Sequence, residues 1–284
     1  MATGSGILYI VATPLGNLGD MTPRAVAVLR EVDLIAAEDT RHSTPLLRHF
    51  AIATPITSLH EHNEAQRAAT LLDRVEAGQS LALISDAGTP LLSDPGFLLV
   101  REARSRGLRV SPVPGPSALV AALSVAGLPV ERFVFEGFLP ARSGPRRTRL
   151  EALAGEARTL AFYESPHRIR ETLADMAAVL GGEREAVLAR ELTKIHETVR
   201  GGSLAELVEL LERDPDQRRG EFVILVHGAP ERAGEDERDG ELVRQLAVLL
   251  GELPLKQAVQ LAVKLTGRRR NEVYRLAMRL SEGD

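Results

Sequence analysis

The stretch Leu83-Ile-Ser-Asp-Ala-Gly-Thr-Pro-Leu-Leu-Ser-Asp-Pro-Gly96 gathers residue types that can hold a polar small molecule. Asp86 and Asp94 can accept hydrogen bonds from hydroxyls or balance a cation. Ala87 and Gly88 let a ligand approach the backbone closely. The competing reading is a decorated turn, with Asp94 capping a helix that has Pro95 at its first position. Two further loops of small residues, Thr13-Pro-Leu-Gly-Asn17 and Pro114-Gly-Pro-Ser-Ala118, follow apolar runs in the same way. None carries G-x-G-x-x-G or the P-loop pattern, so the usual nicotinamide and nucleoside-triphosphate fingerprints are missing. Glu38-Asp39-Thr40-Arg41 and His60-Glu61-His62 add titratable groups. The His60-x-His62 pair has no third ligand of the right type nearby. A polar turn with Asn63 as helix N-cap accounts for it, so no metal is assigned.

The elements that would position these residues alternate. Apolar runs at 7–12, 33–37, 55–59, 81–85 and 110–113 read as strands, with helices from Thr22-Pro23, over 63–77, 97–106 and 117–126. That order is the signature of a parallel α/β sheet. Each small-residue loop leaves the carboxyl end of a strand, where open α/β sheets bind ligands. Three such loops at one sheet edge suggest a cleft for a nucleoside-like molecule. Further on, strands at 132–136, 158–163, 186–191, 196–200 and 221–227 partly follow one another without helices, with helices at 165–180 and 203–213. This predicts a mixed sheet and a second domain, the boundary falling near 114–130. Residues 229–241 read as an exposed linker, and three helices near 241–250, 255–265 and 270–281 close the chain. In the last, Val273, Leu276, Ala277 and Leu280 share one apolar face. The expected division is 1–116, 117–230 and 231–284.

The chain of 284 residues is 44% hydrophobic, 26% charged and 4% aromatic, which excludes wholesale disorder and allows sizeable cores. It has no Cys, so disulfides, thiolate zinc sites and cysteine nucleophiles are out. No apolar run is long enough to span a bilayer and no secretory signal is visible at Met-Ala-Thr-Gly-Ser-Gly, which favours a cytoplasmic protein. The net charge of −4 argues at first against a nucleic-acid partner. Its distribution argues otherwise. Among 35 basic residues only Lys194, Lys256 and Lys264 are lysines, and arginine pairs bidentately with phosphate, although a GC-rich coding bias also enriches arginine. Residues 142–149 hold Arg142, Arg146, Arg147 and Arg149 in a Gly/Pro-containing loop without an acid. Residues 252–281 hold seven bases, including Arg268, Arg269 and Arg270, against two acids, while 231–241 holds six acids against two bases. Segregated charge favours phosphate contact, and the alternative is a solvated helix face.

These stretches, with Ala37–Arg41, His60–Glu64, Gly137-Phe-Leu-Pro140, Tyr163-Glu-Ser-Pro-His-Arg168, Ala189–Lys194 and Gly220-Glu-Phe-Val, resemble the tetrapyrrole methylase superfamily of S-adenosylmethionine-dependent methyltransferases. Within it the chain is most similar to the bacterial small-subunit ribosomal RNA cytidine-2′-O-methyltransferases. The motifs cover roughly residues 6–228 in order, and the helical tail resembles that subfamily's C-terminal extension. The resemblance implies two α/β domains with a cofactor cleft between them, a helix-turn-helix-like extension, and a homodimer. It implies S-adenosylmethionine as cofactor and small-subunit rRNA or the 30S subunit as partner. By motif position, Pro14, Asp86, Ala87, Gly88, Thr89, Ser93, Ser117, Ala118 and Tyr163 would surround the cofactor. The arginines of both clusters would contact RNA.

A ribose hydroxyl is a poor acid, so a base, or a cation that stabilises the alkoxide, is expected beside it. Glu38, Asp39 and Arg41 after the second strand, and His60 and Glu61 after the third, are the candidates. Asp39, Arg41 and Glu61 are the favoured ones. The competing account of Glu38–Arg41 is a local ion pair with a helix cap at Ser43. Two other functions fit parts of the sequence: a tetrapyrrole C-methyltransferase, and a non-catalytic nucleic-acid-binding regulator using the tail.

Overall fold

The computed structural model describes residues 6–230 and 234–281, apart from the side chains of residues 61, 62, 234–241, 279 and 281. The chain divides into two compact units, 1–228 and 229–284.

The first half of the larger unit runs β1 (Ile7–Val11), α1 (Pro23–Glu31), β2 (Leu34–Ala37), α2 (Thr40–His49), β3 (Ile56–Ser58), α3 (Glu61–Glu76), β4 (Leu81–Ile84), α4 (Phe97–Ser105) and β5 (Arg109–Val113). The strands pair in the order β3-β2-β4-β1-β5, all parallel. Every residue of β2 and β4 is buried, because helices cover both faces of the sheet; this is why the strands read as unbroken apolar runs. One core, with Leu8, Leu72, Leu83 and Leu99, lies on one face, and another, with Val11, Leu29, Ile35 and Ile84, lies on the other.

The second half follows α5 (Ala118–Val125) with β6 (Phe133–Phe138), α6 (Ser143–Leu153), β7 (Thr159–Glu164), α7 (Ile169–Leu180), β8 (Glu185–Arg190), β9 (Thr198–Ser203), α8 (Leu204–Arg213) and β10 (Phe222–Val226). The sheet order is β6-β7-β10-β8-β9, with β6–β7 parallel and the other pairs antiparallel. Helix α5 belongs with this sheet: Leu119, Ala122 and Leu123 pack against Ala161, Val187, Val223 and Leu225. Among the described residues the smaller unit has three helices, α9 (Gly234–Glu252), α10 (Leu255–Thr266) and α11 (Arg270–Ser281), closed on Leu242, Leu246, Val259, Ala262, Val273 and Ala277.

Several local expectations change. Helix α2 enters the sequence reading only through the competing account, with a cap at Ser43; the cap is instead Asp39, which accepts the Arg41 N–H at 2.8 Å, and Pro45 inside the helix hides its periodicity. The expected arginine loop at 142–149 is mostly helix. Pro145 sits in the first turn of α6, where its missing N–H costs nothing. The expected linker shortens, because α9 already begins at Gly234. The N-cap of α3 is His60, and Asn63 is its reciprocal partner three residues on: Asn63 Oδ1 accepts the His60 N–H at 2.9 Å, and Asn63 Nδ2 pairs with His60 Nε2 at 3.1 Å. Asp94 caps no helix: α4 starts at Phe97 behind Gly96, whose φ of +123° suits only glycine. The Gly96 backbone sits so close to Leu83 that an added Cβ would lie 2.5 Å from its Cδ2.

Candidate functional site

The carboxyl ends of the parallel strands are knitted together by backbone. Thr13 after β1 exchanges hydrogen bonds with Gly88 after β4, at 2.8 and 3.0 Å. The Thr13 hydroxyl donates to the Ser85 carbonyl at 3.2 Å, and the Thr89 hydroxyl to the Pro116 carbonyl beyond β5 at 2.9 Å. Asp86 Oδ1 accepts the Asp39 N–H at 3.1 Å, tying in the loop after β2. Close approach needs small residues here: a Cβ on Gly88, whose φ is +82°, would lie 3.1 Å from Leu15, and one on Gly115 would lie 3.0 Å from the Ala12 Cβ.

These loops form one wall of a cleft of about 400 Å³. Glu38, Asp86 and Asp94 bring three carboxyls to it, together with Leu15, Ala87, Gly88, Thr89, Ser93, Ser117 and Ala118. Burial raises the proton affinity of Glu38, and nearby Asp86 raises it further. Burial likewise pushes the Asp94 carboxyl up to about 7, against a hydrogen bond from Ser85, with the Glu38 and Asp86 charges adding to the rise. Leu91 and Ser93 hold left-handed backbones at φ +74° and +70°, strain of the kind that collects at functional sites. The Ser117 Oγ is buried without a hydrogen-bond partner among the described residues.

The opposite wall comes from the mixed sheet, and register builds it. Phe138 pairs with Tyr163, Tyr163 with Val223, and Val223 with Ala189, so four strands place four side chains in one row facing the cleft. Tyr163 stacks edge-on with Phe135 and Phe138 at 4.9 and 5.7 Å, and its hydroxyl accepts the Leu119 N–H at 3.2 Å. Burial raises its pKa. Glu164 also touches the cleft, but its carboxylate is already engaged by Arg168 at 2.9 Å, Thr172 at 2.7 Å and the Ser165 N–H at 2.8 Å.

The sequence-derived residues fall into three groups. Asp86, Ala87, Gly88, Thr89, Ser93, Ser117, Ala118 and Tyr163 share the cleft, while Pro14 is buried beside it and its neighbour Leu15 forms the wall. Asp39 and Arg41 lie outside the lining. Arg41 is 90% exposed and grips Asp39 at 2.7 Å, holding the Asp39 carboxyl far below the ordinary carboxylate range. That local ion pair leaves Asp39 a poor base. The Glu61 side chain lies outside the described residues. The arginines split as well. Arg142, Arg147, Arg149, Arg269 and Arg270 are exposed, Arg149 holds Glu136 at 2.8 and 2.9 Å, and Arg268 is half-buried. Arg146 departs from the expectation of RNA contact: it is 1% exposed, and its Nε donates to Asp175 at 2.7 Å. Its position with Leu150 and Leu153, at i, i+4 and i+7, turns it into the core. Sequence reasoning gave no role to Leu15, Leu92, Phe138, Leu192 or the Glu221–Val223 segment. Most lie in or beside motifs that carried the resemblance, and that position was the available signal.

Residues 7–208 match the family Tetrapyrrole (Corrin/Porphyrin) Methylases, and residues 236–281 match the RsmI C-terminal HTH domain. The chain is 57% identical to the Ribosomal RNA small subunit methyltransferase I of Pseudomonas aeruginosa, over 96% of this chain and 97% of that one. It is 56% identical to the protein of the same name from Xylella fastidiosa, over 95% and 98%. Among solved structures, the cobalamin biosynthetic enzyme cobalt precorrin-4 methyltransferase superposes with a TM-score of 0.57 at 16% identity, covering 78% of this chain and 94% of that one, which is a likeness of fold. With the family match over most of its length and these full-length relatives, the chain belongs to the tetrapyrrole methylase family, alongside the ribosomal RNA small subunit methyltransferase I proteins.

Proposed function

We infer that this chain transfers a methyl group from S-adenosylmethionine to the 2′-oxygen of a cytidine ribose in small-subunit (16S) ribosomal RNA. The observation that carries this is the 57% identity with a ribosomal RNA small subunit methyltransferase I over 96% of the chain, helical unit included. The solved uroporphyrin-III-C-methyltransferase is only 21% identical, far below the 57% of the ribosomal RNA methyltransferase, and a non-catalytic regulator needs no such cleft, so neither alternative is favoured.

The cleft suits the cofactor. S-adenosylmethionine carries two positive groups and one carboxylate, and Asp86 and Asp94 supply compensating charge. The unpartnered Ser117 hydroxyl offers a buried hydrogen-bonding group. The Phe138–Tyr163–Val223 row gives an apolar face for a purine, and Gly88 leaves the backbone open to close contact. When bound, S-adenosylmethionine supplies a methyl group already activated on a sulfonium.

The chain's residues then position the ribose and take its proton. Alignment supplies much of the rate in such a transfer. In this reading Glu38 accepts the 2′-hydroxyl proton: it lines the cleft, and burial has raised its proton affinity. Exposed Arg41, oriented by Asp39, meets an RNA phosphate at the rim. Glu61, at the start of α3, stays a candidate of the same polar edge. Arg142, Arg147 and Arg149 with Arg268, Arg269 and Arg270 contact the RNA backbone. The reading includes a homodimer, to be tested by light scattering, a cytoplasmic location, and functional parts at 1–116, 117–230 and 231–284. Among the described residues no helix is long and apolar enough to cross a membrane.

The test is transfer of labelled methyl from S-adenosylmethionine to 30S particles, or to 16S rRNA, from a strain lacking the modification. Label on a cytidine ribose is the expected result. Label on a tetrapyrrole alone, or none on RNA, rejects the reading.

A further inference from the structure

The turn between β8 and β9 is strained and heavily braced. Glu191 and Thr193 hold left-handed backbones at φ +51° and +68°, which residues with a Cβ adopt only when their surroundings impose it. Arg190 donates to the Arg219 and His196 carbonyls at 2.6 and 3.2 Å. The Thr193 N–H donates to the Glu197 carboxylate at 2.6 Å, and the Lys194 N–H to the Glu191 carbonyl at 3.0 Å. So constrained, the Lys194 ammonium bridges Glu191 at 2.9 Å and Glu221 at 2.8 Å.

Between backbone and ammonium, the Lys194 stem lies on the loop that leaves β1. A Cβ on Gly16 would sit 2.6 Å from Lys194 Cγ and 2.7 Å from Cε. Gly220 plays the same part beneath Glu191, where a Cβ would fall 2.4 Å from Cγ. The turn therefore joins the two sheets. On its own side, Leu192 and Glu221 line the cleft; on the other, Leu15 beside Gly16 does. Lys194 itself does not line it.

We propose that Lys194 is a positioning residue: a strap that fixes the Leu15 wall against the Leu192–Glu221 wall and so sets the width of the space that receives the cofactor. The inference rests on the reading of this cleft as the S-adenosylmethionine site. It assigns Gly16 a reason to be glycine beyond its backbone angle, since the strap runs across its face.

The full chain and its Lys194→Ala, Lys194→Arg, Gly16→Ala and Gly16→Ala/Lys194→Ala variants separate the possibilities. The readouts are the Kd for S-adenosylhomocysteine by calorimetry, the KM for S-adenosylmethionine against kcat, and Tm. Lys194→Ala is expected to raise Kd and cofactor KM about tenfold with kcat and RNA KM unchanged, and Lys194→Arg to return both to within about twofold of the parent. Gly16→Ala, which displaces the strap, should weaken cofactor binding in the parent and much less once Lys194 is alanine. Parent-like Kd and KM in Lys194→Ala overturn the proposal, whether or not Tm falls. Additive effects in the Gly16 and Lys194 cycle overturn it too. A parent chain that binds no S-adenosylhomocysteine brings down the cofactor reading itself, and this inference with it.

Discussion

The two halves of the larger unit use their partly or fully buried charges in opposite ways. In the half built on the parallel sheet, Glu38, Asp86 and Asp94 turn into the cleft, and none forms an ion pair among the described residues. In the half built on the mixed sheet, the buried charges face one another: Arg146 meets Asp175, and Glu164 meets Arg168 and Thr172. The cleft wall from that second half is mostly apolar. The difference follows from topology. Parallel strands end together at one edge, so their loops converge with polar groups free to point at a ligand. Strands of a mixed sheet present a face, and a face near a core is apolar or internally paired. Half-buried carboxyls without an ion pair mark chemistry at this edge, while the buried Glu64 is held by the Leu99 N–H at 2.9 Å and the paired carboxylates mark structure.

Four substitutions test that division, and a fifth probes the helical unit. Glu38→Gln is expected to lower kcat by roughly 10²–10⁴-fold while cofactor affinity holds. Unchanged turnover, read by single-turnover methylation, would remove Glu38 from the reaction. Arg146→Ala should destabilise the fold by about 3–5 kcal/mol, because the buried Asp175 loses its close guanidinium partner and keeps only Arg147 at 3.7 Å. Urea denaturation measures this, and weakened RNA binding at unchanged stability would break the comparison. Asp86→Asn should raise the Kd for the cationic cofactor roughly 10–100-fold by calorimetry, with the fold intact, since the amide oxygen can still accept the Asp39 N–H.

Asp94→Asn sharpens the comparison through pH. The Asp94 carboxyl titrates near 7 in the folded chain against 3.8 ordinarily. Between about pH 4 and 7 the folded chain holds a proton that the unfolded chain releases, so this group's contribution to stability falls as pH rises through that window. Thermal melts across pH 4–8 should show a shallower decline in Asp94→Asn, and parallel curves would contradict the raised carboxyl. The smallest effect is expected for Arg269→Ala in the helical unit. It should reduce the slope of log RNA affinity against log salt by about 1 and leave cofactor binding alone.

Much of the scaffold was legible because burial on two faces writes a strand as an apolar run, as in Leu34–Ala37 and Leu81–Ile84. The polar wall was legible too, since its residues sit in a few contiguous loops. The apolar wall was not. Phe138, Tyr163, Ala189 and Val223 are far apart in sequence and meet only through strand register. Helix α2 hid behind Pro45, and α6 behind Gly144-Pro145. The arginine run misled because charge was counted without phase. The spacing of Arg146 from Leu150 and Leu153 already placed it on the inward face.

The sheet orders carry one more consequence, for behaviour in concentrated solution. Two open sheets leave four strands at their borders, β3, β5, β6 and β9, and each border is a template on which another chain can pair. All four are spoiled, each differently. Strand β3 is three residues long, and β5 contains Pro112, which has no N–H to offer. The register of β6 breaks between Phe135 and Gly137, and β9 runs through Arg200-Gly-Gly, where charge and missing side chains discourage stacking. A chain with so little sulfur chemistry and so many apolar strands thus resists fibrillar association by the poor quality of its own margins.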